Sequence, residues 1–328
     1  MKKILALLLL LCLSLTACAS DGPAETEIFA MDTYMRLRIW GDRELLSDTV
    51  DEIRRLEGLF SVTDEKSEIF LLNRDGQAAL SEDTAEILTR AIALSERTGG
   101  AFDPTVYPLV SAWGFTSGEP HIPTQDELNV LLPSVDAAHL RLDGSNAALT
   151  DGAQLDLGGI VKGYTAQKCL ELLSEKGVQT AMLSLGGNVQ TLGSKPDGKP
   201  WVIGIANPEE PTEAIATLTF NGSMAIVTSG GYQRYFDLDG ARYHHILDPQ
   251  TGMPAEMGLA SVTVLTQDGT TADALSTALF VMGMEKSVEL WRESDDFEAI
   301  FITQDRKIFA TKGAADLLGG CEFEEITR

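Results

Sequence analysis

Two periods of hydrophobic positions run along this chain of 328 residues. Stretches with an apolar residue every three or four positions are typical of amphipathic helices, which hold one face against a core. Two of these stretches end at glycines, Gly99-Gly100 and Gly177, as helices commonly do. The predicted helices cover residues 43–60, 82–98, 160–176 and 271–282.

Shorter apolar runs predict β-strands, and most of them lie between residues 178 and 266. Asp239-Gly240 stands between two of these runs and is a strong signal for a β-hairpin. Strands and helices do not alternate regularly, which predicts an α+β fold with a largely antiparallel sheet and packed helices. The predicted strands cover residues 28–40, 181–185, 201–206, 216–220, 224–228, 235–238, 242–246, 260–266, 298–303 and 307–311.

The N-terminal residues have the pattern of a targeting segment. Two lysines precede an apolar run over residues 4–15 that is too short to cross a membrane as a helix. Leu15-Thr16-Ala17-Cys18 follows and resembles the lipobox of bacterial lipoproteins, in which the cysteine is lipidated after cleavage. We therefore expect a signal peptide over residues 1–17 and a lipid anchor at Cys18 on the extracytoplasmic face of the cell membrane. A plain secretory signal is the alternative.

Residues 18–27 are small and polar and are predicted to form a tether. Neither a low-complexity linker nor a repeat follows Ile28, so residues 28–328 are predicted to be a single large domain. Cys169 and Cys321 remain as thiols in this domain, and the sequence leaves open whether they pair. The sequence has no CxxC pair and no Cys/His cluster, which argues against a structural zinc site.

The charge balance excludes one class of partner. With 25 Lys and Arg against 49 Asp and Glu, the net charge is −24, so the chain has no general means to neutralise the phosphates of a nucleic acid. Aromatic residues make up only 7% of the chain, which argues against base stacking on single strands. A small phosphate compound remains compatible, because backbone N–H groups and a metal ion can bind it.

One segment that could bind such a compound covers residues 155–164. A short strand leads through Gly158-Gly159 into a helix that carries Lys162 in its first turn. Free N–H groups and the positive end of the helix dipole would then face a phosphate beside a lysine. The spacing matches neither a Walker A loop nor G-x-G-x-x-G, and a purely structural turn is the alternative.

A second candidate is the pair Asp273 and Thr277 near the start of a predicted helix. Residues four apart share one helix face, so a carboxylate and a hydroxyl could together hold a hard cation that prefers oxygen ligands. The alternative is that Asp273 only complements the helix dipole.

The third candidate is the pair His244 and His245, followed by an Asp248-Pro249 turn. Neighbours on a strand point to opposite faces, so at most one of the two histidines can face a site and deprotonate a hydroxyl there. A structural histidine in a hairpin is the alternative. Arg234, behind the glycines at 230 and 231, could pair with an anion, and Asn73 is predicted to mark a helix end.

Taken together, these segments resemble the ApbE family, the FAD:protein FMN transferases, over nearly the whole chain after the signal. Their number and order carry the resemblance. They are Met31-Asp32-Thr33, residues 60–73, residues 100–104, residues 156–164, Gly186-Gly187-Asn188, Thr228-Ser229-Gly230 with Arg234, residues 245–249 with Thr251-Gly252, and Ala272-Asp273-Ala274 with Thr277.

The resemblance implies a T-fold-like core that binds FAD and Mg²⁺. It implies transfer of FMN to a Ser or Thr hydroxyl of a target protein, in an extracytoplasmic electron-transfer system, with release of AMP. His245 would be the base, with Asp248 as its alternative or its orienting partner. The metal ligands would be Asp273, Thr277 and the carbonyl of Gly159. The FAD contacts would be Met31, Thr63, Ala101, Phe102, Asp103, Asp156, Lys162, Ser229, Arg234, His245 and Ile246.

The chain departs from the family pattern at two positions. Many members carry an aromatic residue where this chain has Thr63, so an FAD pyrophosphatase that yields FMN and AMP is an alternative function. Asp32 stands where glycine is frequent. A lipoprotein that binds flavin without chemistry is the third possibility, but it would have no use for the metal pair Asp273 and Thr277.

Overall fold

The computed structural model describes residues 22–328, and its core is a nine-stranded sheet in the order β1-β2-β6-β7-β10-β13-β14-β15-β17. All neighbouring strands in it are antiparallel except the last pair. The predicted α+β fold with a largely antiparallel sheet is confirmed. These strands are β1 (Ala24–Ala30), β2 (Thr33–Ile39), β6 (Ala181–Leu185), β7 (Asn188–Leu192), β10 (Met224–Gly230), β13 (Leu259–Thr266), β14 (Glu298–Thr303), β15 (Ile308–Thr311) and β17 (Glu324–Ile326).

Three smaller sheets surround the nine-stranded sheet. One is the predicted hairpin at Asp239-Gly240, which is confirmed as β11 (Tyr235–Leu238) and β12 (Ala241–His244). The other two have three strands each. They contain β3 (Gln77–Ala79), β5 (Asn146–Leu149) and β4 (Leu140–Asp143), and β16 (Leu318–Gly319), β9 (Ala214–Phe220) and β8 (Trp201–Ala206).

The described residues form the helices α1 (Leu45–Phe60), α2 (Glu68–Asp75), α3 (Glu82–Arg97), α4 (Tyr107–Ala112), α5 (Gln125–Leu131), α6 (Val161–Glu175), α7 (Gly269–Arg292) and α8 (Lys312–Ala315), with 3₁₀ turns at Leu132–Ser134 and Ala137–His139. The long helices α1, α6 and α7 cover one face of the nine-stranded sheet, whereas α8 packs on the other face. Apolar side chains of α1 and α6 pack against β2 and β6, and α7 packs against β10 and β13. No helix in residues 22–328 is long and apolar enough to cross a membrane.

The sheet of β8, β9 and β16 covers part of the opposite face. Trp201, Ile203 and Leu218 from this sheet form one buried cluster with Ile226 and Ile300 of the nine-stranded sheet. The molecule therefore has three layers where this small sheet packs, with the nine-stranded sheet in the middle. In the described part of the chain, Cys169 and Cys321 are free thiols.

Two predicted boundaries are wrong. The single strand expected over residues 28–40 is two strands, β1 and β2, because Met31 and Asp32 both adopt positive φ, at 47° and 57°, and reverse the chain. Neither is a glycine, so the sequence carries no ordinary turn signal there. Residues 24–27, assigned to the tether, belong to β1 and pair with β2. The predicted signal peptide and Cys18 lie outside the described residues.

The third difference concerns α7, which continues beyond residue 282. Gly283 interrupts it with φ 75° and ψ 170°, so that two helical segments follow each other with a sharp break. A Cβ at Gly283 would come within 2.9 Å of Cβ of Met257, so glycine is also favoured there by space. The first segment carries Asp273 and Thr277.

Asn73 joins helix α2 to the segment that leads into the glycine loop. Its side-chain amide donates to the carbonyl of Leu155 at 2.9 Å, and its carbonyl oxygen accepts from the N–H of Leu155 at 2.6 Å. Both backbone groups of Leu155 are therefore satisfied by one side chain 82 positions away. Asn73 lies in the last turn of α2, as predicted, and it also fixes the backbone next to Asp156.

We predict that Asn73→Ala lowers the free energy of unfolding by about 2–4 kcal/mol, because two backbone groups beside the buried Leu155 side chain lose their partner. Urea denaturation followed by circular dichroism measures this loss. Asn146→Ala is the matched control, since its exposed amide makes only a 3.4 Å bond to Asp143, and it should cost less than about 0.5 kcal/mol. Equal losses in the two variants would show that Asn73 has no special role.

Candidate functional site

A cavity of about 700 Å³ opens where the β1–β2 turn, the glycine loop before α6, the end of β10 and the first turns of α7 meet. This volume lies in the range of small-molecule sites. Most of the residues singled out from the sequence line it. They are Met31, Thr63, Ala101, Phe102, Asp103, Asp156, Gly159, Lys162, Ser229, Arg234, His245, Ile246, Asp273 and Thr277.

The crossing of α6 and α7 forms the base of the cavity. A Cβ at Gly163 would lie 2.1 Å from the carbonyl oxygen of Gly269 and 2.6 Å from Cβ of Asp273, so only glycine allows this approach. The gap lets Oδ2 of Asp273 accept the N–H of Gly163 at 2.7 Å. The side chain of Gln190 on β7 donates to the carbonyl of the same glycine at 2.9 Å.

Asp273 therefore acts as the cap of α6 from another helix. Ile160 at the N-cap position offers no side-chain hydrogen bond, and the Asp273 carboxylate takes that place. Asp273 is only 3% exposed, and burial raises the pKa of its carboxyl although the amides of residues 162 and 163 oppose that shift. The Asp273 carboxylate thus occupies one of the N–H groups at this helix start that the sequence predicted to be free for a phosphate.

Oxygen atoms suited to a hard cation surround that carboxylate. The Thr277 hydroxyl lies one turn further along α7, and its Oγ1 would be 3.4 Å from a Cβ built on Gly159. The backbone of Gly159 thus lies beside the Thr277 side chain. Within residues 22–328 no group of three or more His, Cys, Asp and Glu side chains could hold a metal. The set of one carboxylate, one hydroxyl and one carbonyl fits Mg²⁺ and leaves positions for phosphate oxygens and water.

Ser229, at the end of β10, meets α7 next to this set. Its hydroxyl is 2.8 Å from Oγ of Ser276 and 3.3 Å from Oγ1 of Thr277. Ser229 is 8% exposed, and its hydroxyl forms hydrogen bonds with these two hydroxyls. Sequence reasoning missed Ser276, although its position next to Thr277 and three residues after Asp273 was a usable signal.

The glycine loop adds charge to the opposite wall. Oδ1 of Asp156 accepts the N–H of Gly158 at 2.7 Å, and Nζ of Lys162 donates to the carbonyl of Gly158 at 2.9 Å. Burial raises the pKa of Asp156, while the charges of Arg234 and Lys162 oppose that shift. The guanidinium of Arg234 donates to the carbonyl of Phe115 and lies 5.9 Å from the centre of its ring. Lys162 and Arg234 are thus two cations facing one cavity.

The two histidines point to different sides, as predicted. His245 lines the cavity, whereas Nε2 of His244 lies 3.1 Å from the carbonyl of Ala255 and its ring packs edge-on against Phe280. Burial lowers the pKa of His244. His244 is therefore the structural histidine of the pair.

The protonation state of His245 follows from one hydrogen bond. Nδ1 lies 3.0 Å from the carbonyl oxygen of Arg234, which can only accept, so Nδ1 carries the hydrogen. Burial, together with the charges of Lys162 and Arg234, lowers the pKa of the ring to about 3, so the imidazole is neutral near pH 7. Nε2 then keeps a lone pair that can accept a proton.

Asp248 does not orient His245, which corrects the role suggested for it. Its Oδ1 accepts the N–H of Gln250 at 2.9 Å, and its backbone carbonyl accepts the N–H of Gly252 at 2.8 Å. The Asp248 carboxylate thus stabilises the turn after the histidines. Since the carbonyl of Arg234 already holds Nδ1, the ring has no need of a carboxylate partner.

Asp103 lies on the cavity wall with its oxygens already bonded. Oδ1 accepts from the N–H and the hydroxyl of Thr105 at 2.8 and 2.5 Å, and Oδ2 accepts from the N–H of Ala137 at 3.0 Å. Burial raises the pKa of this carboxyl in spite of these bonds. Asp103 therefore shapes the loop that presents Ala101 and Phe102 to the cavity.

Met31 and Thr63 lie near the cavity mouth. Oε1 of Glu57 accepts the N–H of Met31 at 2.6 Å and so supports the left-handed turn between β1 and β2. Oγ1 of Thr63 lies 3.2 Å from Oγ of Ser61. A small hydroxyl side chain thus occupies the position at which the resemblance led us to expect an aromatic ring.

Comparison with known proteins identifies the relatives of this chain. Residues 31–301 match the model of the ApbE family. The FAD:protein FMN transferase of Treponema pallidum is 34% identical over 313 residues, which cover 87% of this chain and 85% of that protein. A protein of the same name from Klebsiella pneumoniae is 34% identical over 286 residues, 85% of this chain and 88% of its own.

Solved structures of the same family have the same fold as this chain. The crystal structure of the ApbE protein from Thermotoga maritima superposes with a TM-score of 0.84 and 34% identity, and covers 90% of this chain and 99% of its own. The flavin transferase ApbE from Vibrio cholerae gives a TM-score of 0.79 at 29% identity, with 90% and 99% covered. The likeness extends over the whole fold and is not confined to the cavity.

We predict that His245 is neutral and carries its hydrogen on Nδ1 from pH 8 down to pH 5, since its pKa is lowered to about 3. Nitrogen-detected NMR of the ¹⁵N-histidine-labelled chain reports both the tautomer and any protonation. His245→Gln assigns the signal, and His244→Gln should leave it in place. A titration midpoint near the ordinary histidine value of about 6.5 would contradict the prediction.

Proposed function

This chain belongs to the ApbE family, and we propose that it is an FAD:protein FMN transferase that works with Mg²⁺. Relatives at 34% identity carry that activity in their names. In this proposal the FMN part of FAD passes to a Ser or Thr hydroxyl of a target protein, and AMP is released. The target is a protein of an extracytoplasmic electron-transfer system.

One arrangement in the cavity carries the proposal. Asp273 and Thr277 carry oxygens in the cavity wall, with the backbone of Gly159 beside Thr277, and His245 presents an uncharged nitrogen with a free lone pair to the same cavity. The first set suits a cation that neutralises a pyrophosphate, and the nitrogen suits a proton acceptor. A protein that only binds flavin would need neither.

The reaction needs positioning and charge more than covalent help from the protein. Lys162 and Arg234 would face the two phosphates of FAD, and Asp273, Thr277 and Gly159 would hold Mg²⁺, which when bound neutralises charge on the pyrophosphate. The acceptor hydroxyl oxygen forms a bond to the FMN phosphorus, and the bridging P–O bond breaks. AMP leaves with the bridging oxygen, and the proton of the acceptor hydroxyl moves to Nε2 of His245.

A second reaction competes for the same geometry. If water replaces the protein hydroxyl, FAD is hydrolysed to FMN and AMP by the same bond changes. Thr63 favours this alternative, because a small polar side chain at the cavity mouth contributes less stacking area to a flavin ring than an aromatic residue would. The number of FMN groups bound to protein per AMP released separates the two reactions.

We expect covalent FMN on a target protein when extracytoplasmic proteins of the source cell are incubated with the chain, FAD and Mg²⁺. Flavin fluorescence on a denaturing gel finds the target, and mass spectrometry finds a Ser or Thr carrying FMN minus water. Transfer gives one protein-bound FMN per AMP, and EDTA stops both. AMP with free FMN and no labelled protein would identify the pyrophosphatase instead. Full turnover in EDTA would overturn the metal role.

The histidine pair supplies a matched control for the same assay. His245→Gln should slow AMP release by roughly 10²–10⁴-fold, the usual contribution of a general base, with little change in FAD affinity. His244→Gln removes a neighbouring ring that faces away and should change the rate only a few-fold. If both variants lose the same small factor, His245 is not the base.

The N-terminal sequence supports a proposed location. Leu15-Thr16-Ala17-Cys18 favours lipidation of Cys18 and attachment to the outer side of the cell membrane. Residues 24–27 are already part of strand β1, so only about six residues would separate the lipid from the folded chain. At most about 3.5 Å per residue, such a tether holds the domain within roughly 20 Å of the membrane surface.

Cys18→Ala is expected to leave the chain with its signal uncleaved or to release it from the membrane, because the lipidated atom is gone. Fractionation and intact mass measurement after radiolabelled palmitate feeding check both outcomes. Cys12→Ala is the control, since it changes a cysteine within the predicted signal and should leave lipid attachment intact. Wild-type chain that stays in the cytoplasm with residues 1–17 attached would refute the proposed location.

A further inference from the structure

Three hydroxyl groups form a chain at the junction of β10 and α7. Oγ of Ser276 lies 2.9 Å from the carbonyl oxygen of Asp273, Oγ of Ser229 lies 2.8 Å from Oγ of Ser276, and Oγ1 of Thr277 lies 3.3 Å from Oγ of Ser229. Ser276 is fully buried and Ser229 is 8% exposed, so water has little access to either group. Thr277, at the other end of the chain, lines the cavity.

The direction of each hydrogen bond in this chain follows from counting hydrogens. A hydroxyl has one hydrogen and can accept with its lone pairs, whereas a carbonyl can only accept. Ser276 therefore donates its hydrogen to the Asp273 carbonyl and accepts the hydrogen of Ser229. Because Ser229 donates to Ser276, it can only accept from Thr277. The hydrogen of Thr277 therefore points to Ser229, and its lone pairs are left for other partners.

We infer that Ser229 and Ser276 are positioning residues that hold the lone pairs of the Thr277 hydroxyl towards the cation. The inference rests on the Mg²⁺ site of the proposed function and concerns groups that do not touch the ion. A hydroxyl ligand binds a cation through a lone pair, so a hydrogen turned into the site would repel the ion. Because the chain starts at a fixed backbone carbonyl of α7, the orientation is set before a cation arrives.

This arrangement gives Ser229 a role different from the FAD contact that the resemblance implied. Its hydroxyl hydrogen is committed to Ser276, so it has no hydrogen left to donate to a phosphate. Partners that orient metal ligands typically change metal affinity by 10–100-fold when removed. We expect that range for Ser229→Ala and Ser276→Ala.

Binding of Mn²⁺ to the full chain without FAD measures the effect apart from catalysis. Mn²⁺ prefers the same oxygen ligands as Mg²⁺, and electron paramagnetic resonance reports the free ion directly, with Mg²⁺ added as competitor. Ser229→Ala and Ser276→Ala should each raise the dissociation constant 10–100-fold. Ser287→Ala is the matched control, because Ser287 is fully buried on the same helix and donates to the carbonyl of Leu279 at 3.0 Å. It should leave the dissociation constant within about twofold.

A double-variant comparison tests that the two serines act through Thr277. Thr277→Val removes the hydroxyl ligand, so adding Ser229→Ala to it should weaken Mn²⁺ binding no further. Equal affinities for Ser229→Ala, Ser276→Ala and Ser287→Ala, with weak binding by Thr277→Val, would refute the positioning role and leave the metal site standing. Further weakening in the double variant would also refute it. If Thr277→Val binds Mn²⁺ like the wild type, the proposed metal site is wrong and this inference fails with it.

Discussion

The site depends on one close approach between two helices, the crossing of α6 and α7 at Gly163. A Cβ atom added at residue 163 would lie 2.1 Å from the carbonyl oxygen of Gly269, which is an overlap. Any residue other than glycine must therefore push the helices apart. The contact places the Asp273 carboxylate against the N–H of Gly163, where it caps α6. Thr277, one turn along α7, then lies beside the backbone of Gly159 in the loop before α6. Arg90 holds the start of α7 by its ion pair with Asp268, whose carboxylate also accepts the N–H of Thr271.

The same contact limits how strongly this helix start alone could attract an anionic substrate. The amide of Gly163 is already bonded to Asp273, so this helix end does not present its full positive potential to a phosphate. The Mg²⁺ of the proposed function would reverse that balance, because a divalent ion beside Asp273 adds more positive charge than the capping bond removes from the helix end. Burial raises the pKa of Asp273 and Asp156, because it disfavours the charged form of each carboxyl. Lys162 favours both charges and Arg234 favours that of Asp156, and a bound divalent ion would favour them more strongly.

The sequence predicted most elements of the fold because their apolar periods are long or end at clear signals. Helix α1 and the hairpin of β11 and β12 are examples, the first by its spacing and the second by Asp239-Gly240. The turn at Met31 and Asp32 escaped prediction because it is stabilised from afar, by Glu57 on α1, and not by its own residue types. The bonding partners of Asn73 and Asp248 escaped prediction for the same reason. The sequence shows that a side chain is polar, but it does not show its hydrogen-bond partner. The partner is Leu155 for Asn73 and the N–H of Gln250 for Asp248.

The orientation of His245 by a backbone carbonyl has a chemical consequence. A carboxylate partner would hold the same tautomer and would also favour the protonated ring, whereas the neutral carbonyl of Arg234 fixes the tautomer with much less effect on basicity. With its pKa lowered to about 3, the ring is a weak base. Lys162 and Arg234 contribute to that low value, and phosphates bound against these cations would cancel their effect. Substrate binding would therefore raise the basicity of His245, so that its ability to take a proton is coupled to the presence of the pyrophosphate that the acceptor hydroxyl must attack.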